Sequence, residues 1–217
     1  MYDKITGKLF YNQGTGQFQY AELPYSTKLS YLESTGTQYV DTGLVMSGAD
    51  FSIDWEVDTT DITTDRTMFG AQHLDPDGTA SDWIWSGQLY CSAEEKYTLL
   101  VGKNYQFNIS IEAGRHVCNL FLANGTATLL VDGVQKAQIS NVVYPAQVHS
   151  TTLFANNFGG RPQQKPAMRL YRWKLTENGS AARDLIPVLD KSGVPCMYDR
   201  VTNRLFYNAG TGTFNYA

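Results

Sequence analysis

The chain has 217 residues, 42% hydrophobic and 18% charged, so it is long enough for one large domain and is neither a disordered segment nor a coiled coil. Its formal net charge of −4 argues against nucleic acid or an anionic membrane as a partner, because either would favour a basic stripe. No apolar run approaches the roughly 20 residues that a membrane-spanning helix needs, which argues against membrane insertion.

The chain begins with a segment that recurs at its other end. Residues 1–21 and 197–217 are identical at 14 of 21 positions, at an offset of 196 residues. Each copy predicts a small β-hairpin, with one turn at Thr6-Gly7 or Thr202-Asn203 and a second turn at its Gly-Thr-Gly run. We interpret residues 1–22 as the end of a preceding unit of a tandem array, or as a hairpin appended to this domain. Residues 23–217 then form one domain that ends in the closing hairpin 197–217.

Between these ends the pattern is a succession of short strands. From Phe51 to Val57 apolar and polar residues alternate, which predicts a half-buried strand. Asn124-Gly125 and Asp132-Gly133 predict tight hairpin turns. Further predicted strands are Thr37–Thr42, Thr67–Ala71, Asp82–Ser86, Gln88–Ser92, Tyr105–Glu112, His116–Ala123, Ala127–Val131, Gln135–Ser140, Thr151–Ala155 and Ala167–Leu175.

This pattern predicts an all-β fold. No window of a dozen residues has a 3.6-residue apolar period, and 14 Tyr, 10 Phe and 19 Gly suit strands and tight turns. We therefore expect two antiparallel sheets packed face to face. Cys91, Cys118 and Cys196 are odd in number and widely spaced, so we expect reduced strand residues rather than a disulfide framework or a metal site.

Three runs resemble laminin-G-like and concanavalin-A-like modules. The run Leu129–Gln135 is similar to their L-x-V-D-G hairpin. Residues 32–43, LESTGTQYVDTG, resemble the opening strand of laminin-G-like modules common in gut-bacterial surface proteins and their phages. The series from Arg169–Trp173 through Arg183–Val188 to Phe214 resembles the end of these modules. The resemblance covers residues 23–217 and implies a two-sheet jelly roll with terminal hairpins, in a protein of the extracellular space, cell surface or virion.

The resemblance implies recognition rather than catalysis. Such modules are similar to carbohydrate-binding and adhesion domains, so the expected partner is a surface glycan or a host-surface receptor. The alternative is a structural repeat or decoration module, whose partners are neighbouring copies or other virion proteins; the terminal repeat motivates it.

A third hypothesis is a laminarinase-like glycoside hydrolase. Such enzymes share the jelly roll and carry a Glu-x-Asp-x-Glu strand that faces the sugar. Here Asp54 and Glu56 match the last two acidic positions, but Ser52 stands where the first glutamate belongs. Without that carboxylate no nucleophile is present, so we expect no enzyme activity.

Two regions are candidate sugar sites, because sugars stack on aromatic rings and bond to amide and guanidinium groups. The first is aromatic: Trp83 and Trp85 share one face of a predicted strand, and Tyr90 follows, although the same face can equally be core. The second is the polar, glycine-rich loop 156–164; its candidate residues are Asn156, Asn157 and Arg161.

A calcium site is a further possibility, in the loop from Asp75 to Asp82. The carboxylates of Asp75, Asp77 and Asp82 surround a Pro/Gly turn, and Ca²⁺ takes six to eight oxygen ligands from such loops. The alternative is an acidic turn in solvent. We expect no other cofactor.

Overall fold

The computed structural model describes residue 15 and residues 22–48, 50–59, 66–73, 84–91, 97–103, 105–109, 111–144 and 146–217. For residues 73, 84–91, 97–103 and 105–108 it describes the backbone alone. The first copy of the repeated segment therefore lies outside the described residues, apart from Thr15.

The described residues form strands and turns and contain no helix, which confirms the predicted all-β class. The strands, in chain order, are β1 (Tyr25–Lys28), β2 (Leu32–Thr35), β3 (Val40–Asp41), β4 (Phe51–Thr59), β5 (Arg66–His73), β6 (Ile84–Cys91), β7 (Tyr97–Lys103), β8 (Tyr105–Ile109), β9 (Gly114–Ala123), β10 (Thr126–Val131), β11 (Val134–Ile139), β12 (Thr152–Leu153), β13 (Asn156–Phe158), β14 (Arg161–Gln163), β15 (Ala167–Glu177), β16 (Ser180–Asp190), β17 (Pro195–Asp199), β18 (Arg204–Phe206) and β19 (Asn215–Tyr216).

The strands form two sheets, as predicted for a sandwich. Within the described ranges the large sheet has the order β11-β10-β9-β4-β15-β16-β17-β18, with β1 beside β16, β2 beside β15 and β19 beside β2. The small sheet has the order β14-β13-β5-β6-β7-β8, with β12 paired to β3 and β5. Pairing is antiparallel except between β13 and β5, where Asn157 lies opposite Ala71 in a parallel register.

Both predicted Asx-Gly turns connect antiparallel neighbours. Asn124-Gly125 joins β9 to β10 with φ angles of 50° and 72°, and Asp132-Gly133 joins β10 to β11 with φ angles of 51° and 77°. Positive φ at both central residues is the type I′ geometry, whose twist matches that of the flanking strands. Asn178-Gly179 makes a further turn with positive φ at both residues, between β15 and β16; the sequence analysis did not identify it.

The core lies between the sheets and is centred on three aromatic rings. The ring of Phe69, from the small sheet, lies 5.0 Å from Trp55 and 5.9 Å from Trp173, both from the large sheet. All three side chains are at most 1% exposed. Edge-to-face packing of such rings adds about 0.5–1.5 kcal/mol per pair to the gain from burial. These rings therefore contribute strongly to holding one sheet on the other.

The closing segment 197–217 differs from its predicted hairpin. Its first turn is as expected, because β17 pairs with β18 and Asn203 has a φ of 57°. The chain does not fold back on β18 after the Gly-Thr-Gly run. Instead it crosses from β18 to β2, the strand that shares this edge of β15 with β16, and β19 pairs with β2. This crossing buries Phe214 at 2% exposure, with its ring 4.8 Å from that of Phe154.

Two of the cysteines are buried free thiols, as the sequence predicted. Cys118 and Cys196 are at most 1% exposed. Desolvation by burial raises the pKa of each thiol to about 12. They behave as small core residues and not as nucleophiles. The side chain of Cys91 lies outside the described part.

A histidine–carboxylate pair links β9 to the turn after β10. His116 Nδ1 lies 2.7 Å from Asp132 Oδ2, and its Nε2 lies 2.8 Å from the carbonyl oxygen of Glu112. Partial burial lowers the pKa of His116, but the bonds to Asp132 and Glu112 outweigh it, so the pKa is raised. The bond to His116, followed by one from the Val117 N–H, lowers the pKa of Asp132.

Replacing Asp132 with Asn should lower the pKa of His116, because it removes the negative charge and keeps the rest of the turn. Asn tolerates positive φ, and its Oδ1 can still accept from the Val117 N–H. A raised histidine pKa stabilises the fold below the unfolded-state pKa, and that contribution is lost as pH rises through the folded-state pKa. The variant should therefore lose more stability at about pH 5 than at about pH 8. An NMR titration of His116 measures the shift directly, and an unchanged midpoint would contradict this assignment.

Candidate functional site

The aromatic and acidic residues singled out in the sequence lie mostly beyond the described part. Trp83, Asp75, Asp77 and Asp82 fall outside it. Residues 85 and 90 lie on β6, paired with β5 and β7, and their side chains are not among those described. The aromatic sugar platform and the calcium loop therefore stay predictions.

The three candidate residues of the predicted polar loop site differ in exposure: two are buried and one is exposed. Asn156 and Asn157, on β13, are 1% and 5% exposed. The Nδ2 of Asn156 donates to Gln72 Oε1 at 2.9 Å, and that of Asn157 donates to the Ser150 carbonyl oxygen at 2.8 Å. Arg161, on β14, is exposed. The amide donors of the two asparagines are thus used inside the sandwich, and a ligand-binding role for these residues remains untested.

The outer face of the large sheet carries the acidic residues of β4. Buried and half-buried residues alternate along the whole strand, as predicted, so that Ser52, Asp54 and Glu56 share the outer face. Asp54 Oδ1 accepts from Asn119 Nδ2 at 2.5 Å. Glu56 Oε1 accepts from Arg115 Nε at 2.7 Å. Both carboxylates are therefore engaged by neighbours from β9.

Beside Glu56, strand β15 changes its neighbour. Residues 167–170 pair with β2, whereas residues 173–177 pair with β16. On the β4 side the register has a bulge at the same point: Leu170 lies opposite Val57, Arg172 lies opposite Glu56, and Tyr171 is the extra residue. Bulges redirect side chains and interrupt pairing, and they occur often beside functional sites. The bulge places Tyr171 and Arg172 at the gap between β2 and β16.

An open groove of about 530 Å³ lies at this gap. That volume is within the range of clefts that hold small ligands. The lining side chains come from the end of β1 and the segment after it, from β4, β9, β15 and β16, and from the turn after β17; they include Lys28, Glu56, Arg115, Tyr171, Arg172, Ile186 and Arg200.

The groove is rich in positive charge. Arg172 Nε lies 3.4 Å from Asp184 Oδ1, and Arg200 Nη2 lies 2.6 Å from Asp184 Oδ2. Arg115 Nη2 lies 2.5 Å from Glu56 Oε1. These three guanidinium groups share two carboxylates, and the fourth cation, Lys28, is exposed with no ion pair to a described residue. With Asp184 counted beside the lining residues, four cations face two carboxylates, which leaves two positive charges in excess.

Tyr171 gives the groove an aromatic wall. The guanidinium carbon of Arg115 lies 3.9 Å above the centre of the Tyr171 ring, and the edge of Tyr31 contacts the same ring at 5.5 Å between centroids. Cation–π stacking and the bond to Glu56 hold Arg115 in one orientation. A guanidinium fixed in this way can present its remaining N–H donors to a carboxylate or sulfate without a large loss of conformational entropy.

No pattern in the sequence indicated this groove. Its cations lie at positions 28, 115, 172 and 200, on four separate elements, and no local motif connects them. The only sequence signal near it was the outer face of β4, through Glu56. Within the described ranges, no group of three or more His, Cys, Asp or Glu residues is arranged to hold a metal ion.

No protein-family profile matches the chain, and no curated protein does. Among solved structures it is similar to a candidate carbohydrate-binding protein of Bacteroides ovatus, with a TM-score of 0.59 and 11% identity over 88% of this chain. The chain spans 60% of that protein's length. It is also similar to the CBM40 module of a Ruminococcus gnavus IT-sialidase, with a TM-score of 0.52 and 12% identity over 69% of this chain and 90% of that one. These similarities support the jelly-roll sandwich.

None of the described residues forms a helix of the length and apolarity needed to cross a membrane.

Proposed function

We propose that this chain is a non-catalytic carbohydrate-recognition module whose ligand is an acidic glycan bound in the groove at Tyr171. The observation that carries the proposal is the excess of two positive charges in an open groove on a protein whose formal net charge is −4. The similarity in fold to a candidate carbohydrate-binding protein supports the choice of a sugar as ligand.

The chemistry of the groove favours a sugar that carries a carboxylate or a sulfate. Guanidinium groups match the geometry of such anions and bind them through paired N–H donors. Glu56, which lines the groove, can accept bonds from sugar hydroxyls. The same set of residues has little affinity for a purely apolar ligand, because the charged groups would lose water without gaining partners.

Recognition without catalysis also accounts for the acidic face of β4. A retaining glycosidase needs two carboxyl groups about 5–5.5 Å apart, one as nucleophile and one as acid and base. Ser52 stands at the position of the missing carboxylate, and Glu56 is engaged by Arg115. Glycoside hydrolysis remains a minor alternative, which would require turnover that disappears in Glu56→Gln.

The setting we propose is extracellular, as part of a bacterial surface protein or a phage tail protein that binds surface glycans or a host receptor. A structural or decoration module with protein partners is the second candidate. The repeat of residues 1–21 at 197–217 favours it, because repeated closing segments suit a tandem array.

The test is a glycan array probed with the intact chain, which displays neutral, sialylated, uronic-acid-containing and sulfated oligosaccharides, with and without calcium. We expect binding to acidic glycans that weakens as salt concentration rises. The double variant Lys28→Gln/Arg200→Gln should reduce affinity for the best glycan by at least about tenfold, since each charge-assisted bond contributes about 1.5–3 kcal/mol.

Lys136→Gln provides a matched control for the single groove variant Lys28→Gln, because each removes one positive charge. This lysine is exposed on β11, at the far edge of the large sheet, and its loss changes the net charge without altering the groove. Equal losses in the groove variant and the control would mean that net charge, and not the groove, determines binding. Binding confined to neutral glycans would contradict an acidic ligand. If the folded protein binds no glycan on the array, that result would favour the structural module. A hit that depends on calcium would direct attention to Asp75, Asp77 and Asp82.

A further inference from the structure

The position of the second copy of the repeated segment indicates a function for the first copy. Residues 197–217 close the sandwich: β17 and β18 extend the large sheet, and β19 pairs with β2. Residues 1–21 repeat this segment with seven differences. The burial of those seven positions distinguishes a retained docking function from a decayed duplicate.

All seven differing positions are solvent-exposed in the second copy. They are Arg200, Val201, Asn203, Arg204, Ala209, Thr213 and Asn215. The buried residues of the segment are unchanged: Met197, Tyr198, Asp199 and Phe214 correspond to Met1, Tyr2, Asp3 and Phe18. A segment that no longer docked would have no reason to keep its buried side chains and to vary only at exposed ones, because burial is what restricts residue identity.

Two of the less exposed polar side chains that hold the segment in place, Asp199 and Asn208, are also the same in both copies. Asp199 Oδ1 accepts from a backbone N–H of β16 at 2.9 Å. Asn208 Oδ1 accepts from the backbone N–H of Tyr39 at 3.2 Å. The first copy has Asp3 and Asn12 at these positions. It therefore carries the side chains that make these bonds.

The glycine that allows close approach is repeated as well. A Cβ on Gly210 would lie 2.2 Å from the carbonyl oxygen of Thr37, so only glycine fits there. The first copy has Gly14 at this position and Gly16 at the position of Gly212, whose φ is 72°.

Two of the exposed differences keep the charge or the backbone conformation of their position. Arg200, which bonds to Asp184, is replaced in the first copy by Lys4, which has the same charge. Asn203, with its positive φ, is replaced by Gly7, which adopts positive φ freely but lacks the side-chain oxygen that accepts from the Tyr198 hydroxyl.

We propose that residues 1–21 are a second closing segment, which binds in another copy of this chain at the dock that residues 197–217 occupy in their own. The dock consists of β2, the backbone of residues 37–39, the edge of β16 and the pocket beside Phe154. The ligand is a peptide of this chain's own sequence, and the exchange links one molecule to the next. The segment and the dock are different surfaces, so the exchange builds either chains of modules or, where two molecules exchange reciprocally, closed dimers.

In the intact protein the chain's own segment has the advantage of a high effective concentration, because it is covalently attached. Exchange should therefore become visible when the own segment is weakened and the first copy is left unchanged.

The first experiment replaces the second copy by the sequence of the first within the full chain. The substitutions are R200K, V201I, N203G, R204K, A209Q, T213Q and N215Q. We expect a cooperative thermal transition within about 5 °C of the parent. A chain that fails to fold, or whose transition falls by much more, would overturn the proposal, because the first sequence would then not fit the dock.

The second experiment tests binding between molecules. In the full chain, Phe214→Ala removes the buried anchor of the own segment and leaves Phe18 in place. Light scattering after size exclusion should show oligomers that increase with concentration. The double variant Phe18→Ala/Phe214→Ala should lose them.

Three other outcomes would contradict exchange between molecules. A Phe214→Ala chain that stays monomeric at every concentration argues against exchange. Oligomers that persist without Phe18 would have another cause, and an unfolded Phe214→Ala chain would mean that the first segment cannot replace the second. Each of these results overturns the proposal.

Discussion

Phe69→Ala should destabilise the protein by about 3–5 kcal/mol, among the largest effects of any single substitution in the described core. The side chain is 1% exposed and lies edge-to-face between Trp55 and Trp173. Removing it leaves a cavity between the two sheets, at the point where the rings of both sheets meet. Neither tryptophan can move into that space without losing its own contacts, because protein interiors are closely packed. Urea unfolding monitored by tryptophan fluorescence measures the loss.

Two matched variants show whether the cavity is the cause. Phe69→Leu keeps an apolar side chain of intermediate size and should lose clearly less stability than the alanine variant. Phe121→Ala removes the same ring from the outer face of β9, where it is 36% exposed, and should cost less than about 1 kcal/mol. Similar losses at positions 69 and 121 would contradict the central role given to the three rings.

Gly210→Ala is expected to cost about 3 kcal/mol or more, although it adds only one methyl group. A Cβ there would lie 2.2 Å from the Thr37 carbonyl oxygen and 3.1 Å from the Gln38 Cα. Both atoms belong to the backbone, so relief requires the closing segment to move away from residues 37–39. That movement would stretch the bond from the Thr211 N–H to the Thr37 carbonyl, which is 3.3 Å long, and would disturb Phe214. The expected result is a large fall in the thermal midpoint.

Gly179→Ala is the control for this prediction. Gly179 has a φ of 75° but no atom within 4 Å of its virtual Cβ. Its substitution costs only the strain of a left-handed alanine, about 1–2 kcal/mol. If the two variants lose equal stability, the close contact at Thr37 is not the reason that position 210 requires glycine.

Local patterns predicted the parts of the fold that local chemistry determines. The alternation from Phe51 to Val57 gave the position and the buried face of β4, because successive side chains of a strand point to opposite faces. Asn124-Gly125 and Asp132-Gly133 predicted two turns, because both residue types tolerate the positive φ that type I′ geometry needs. The resemblance to laminin-G-like modules agreed with these patterns on a two-sheet sandwich.

Features that depend on contacts between distant residues could not be predicted in this way. The Gly-Thr-Gly run at 210–212 has the composition of a hairpin turn, yet β19 pairs with β2 because that position buries Phe214 in the core. Residues 156 and 157 read as a polar loop, but the parallel pairing of β13 with β5 makes them part of a sheet. Both side chains are then buried, so most of their polar atoms face the interior of the sandwich and not a ligand.

The candidate site could not be predicted from local sequence patterns either. Arg172 stands next to a buried tryptophan in the sequence and gives no sign of a special environment. Its position in the groove arises from the bulge at Tyr171 and from the exchange of β2 for β16 beside β15. Neither feature is encoded by residue spacing, so the clustering of four cations is a property of the topology.

The pairing of β19 with β2 also affects how the protein is made. The bond from Asn215 to Glu33 joins residues 182 positions apart, and Gln38 donates to the Thr213 carbonyl across 175 positions. At about 5–20 residues per second, a ribosome needs on the order of 10–40 seconds to synthesise the chain between them. For most of that interval β2 has emerged without either of its neighbours, because β15 is also synthesised late. Completion of the large sheet must therefore follow translation of the closing segment, and the open edge of β2 is the surface that a chaperone would need to shield.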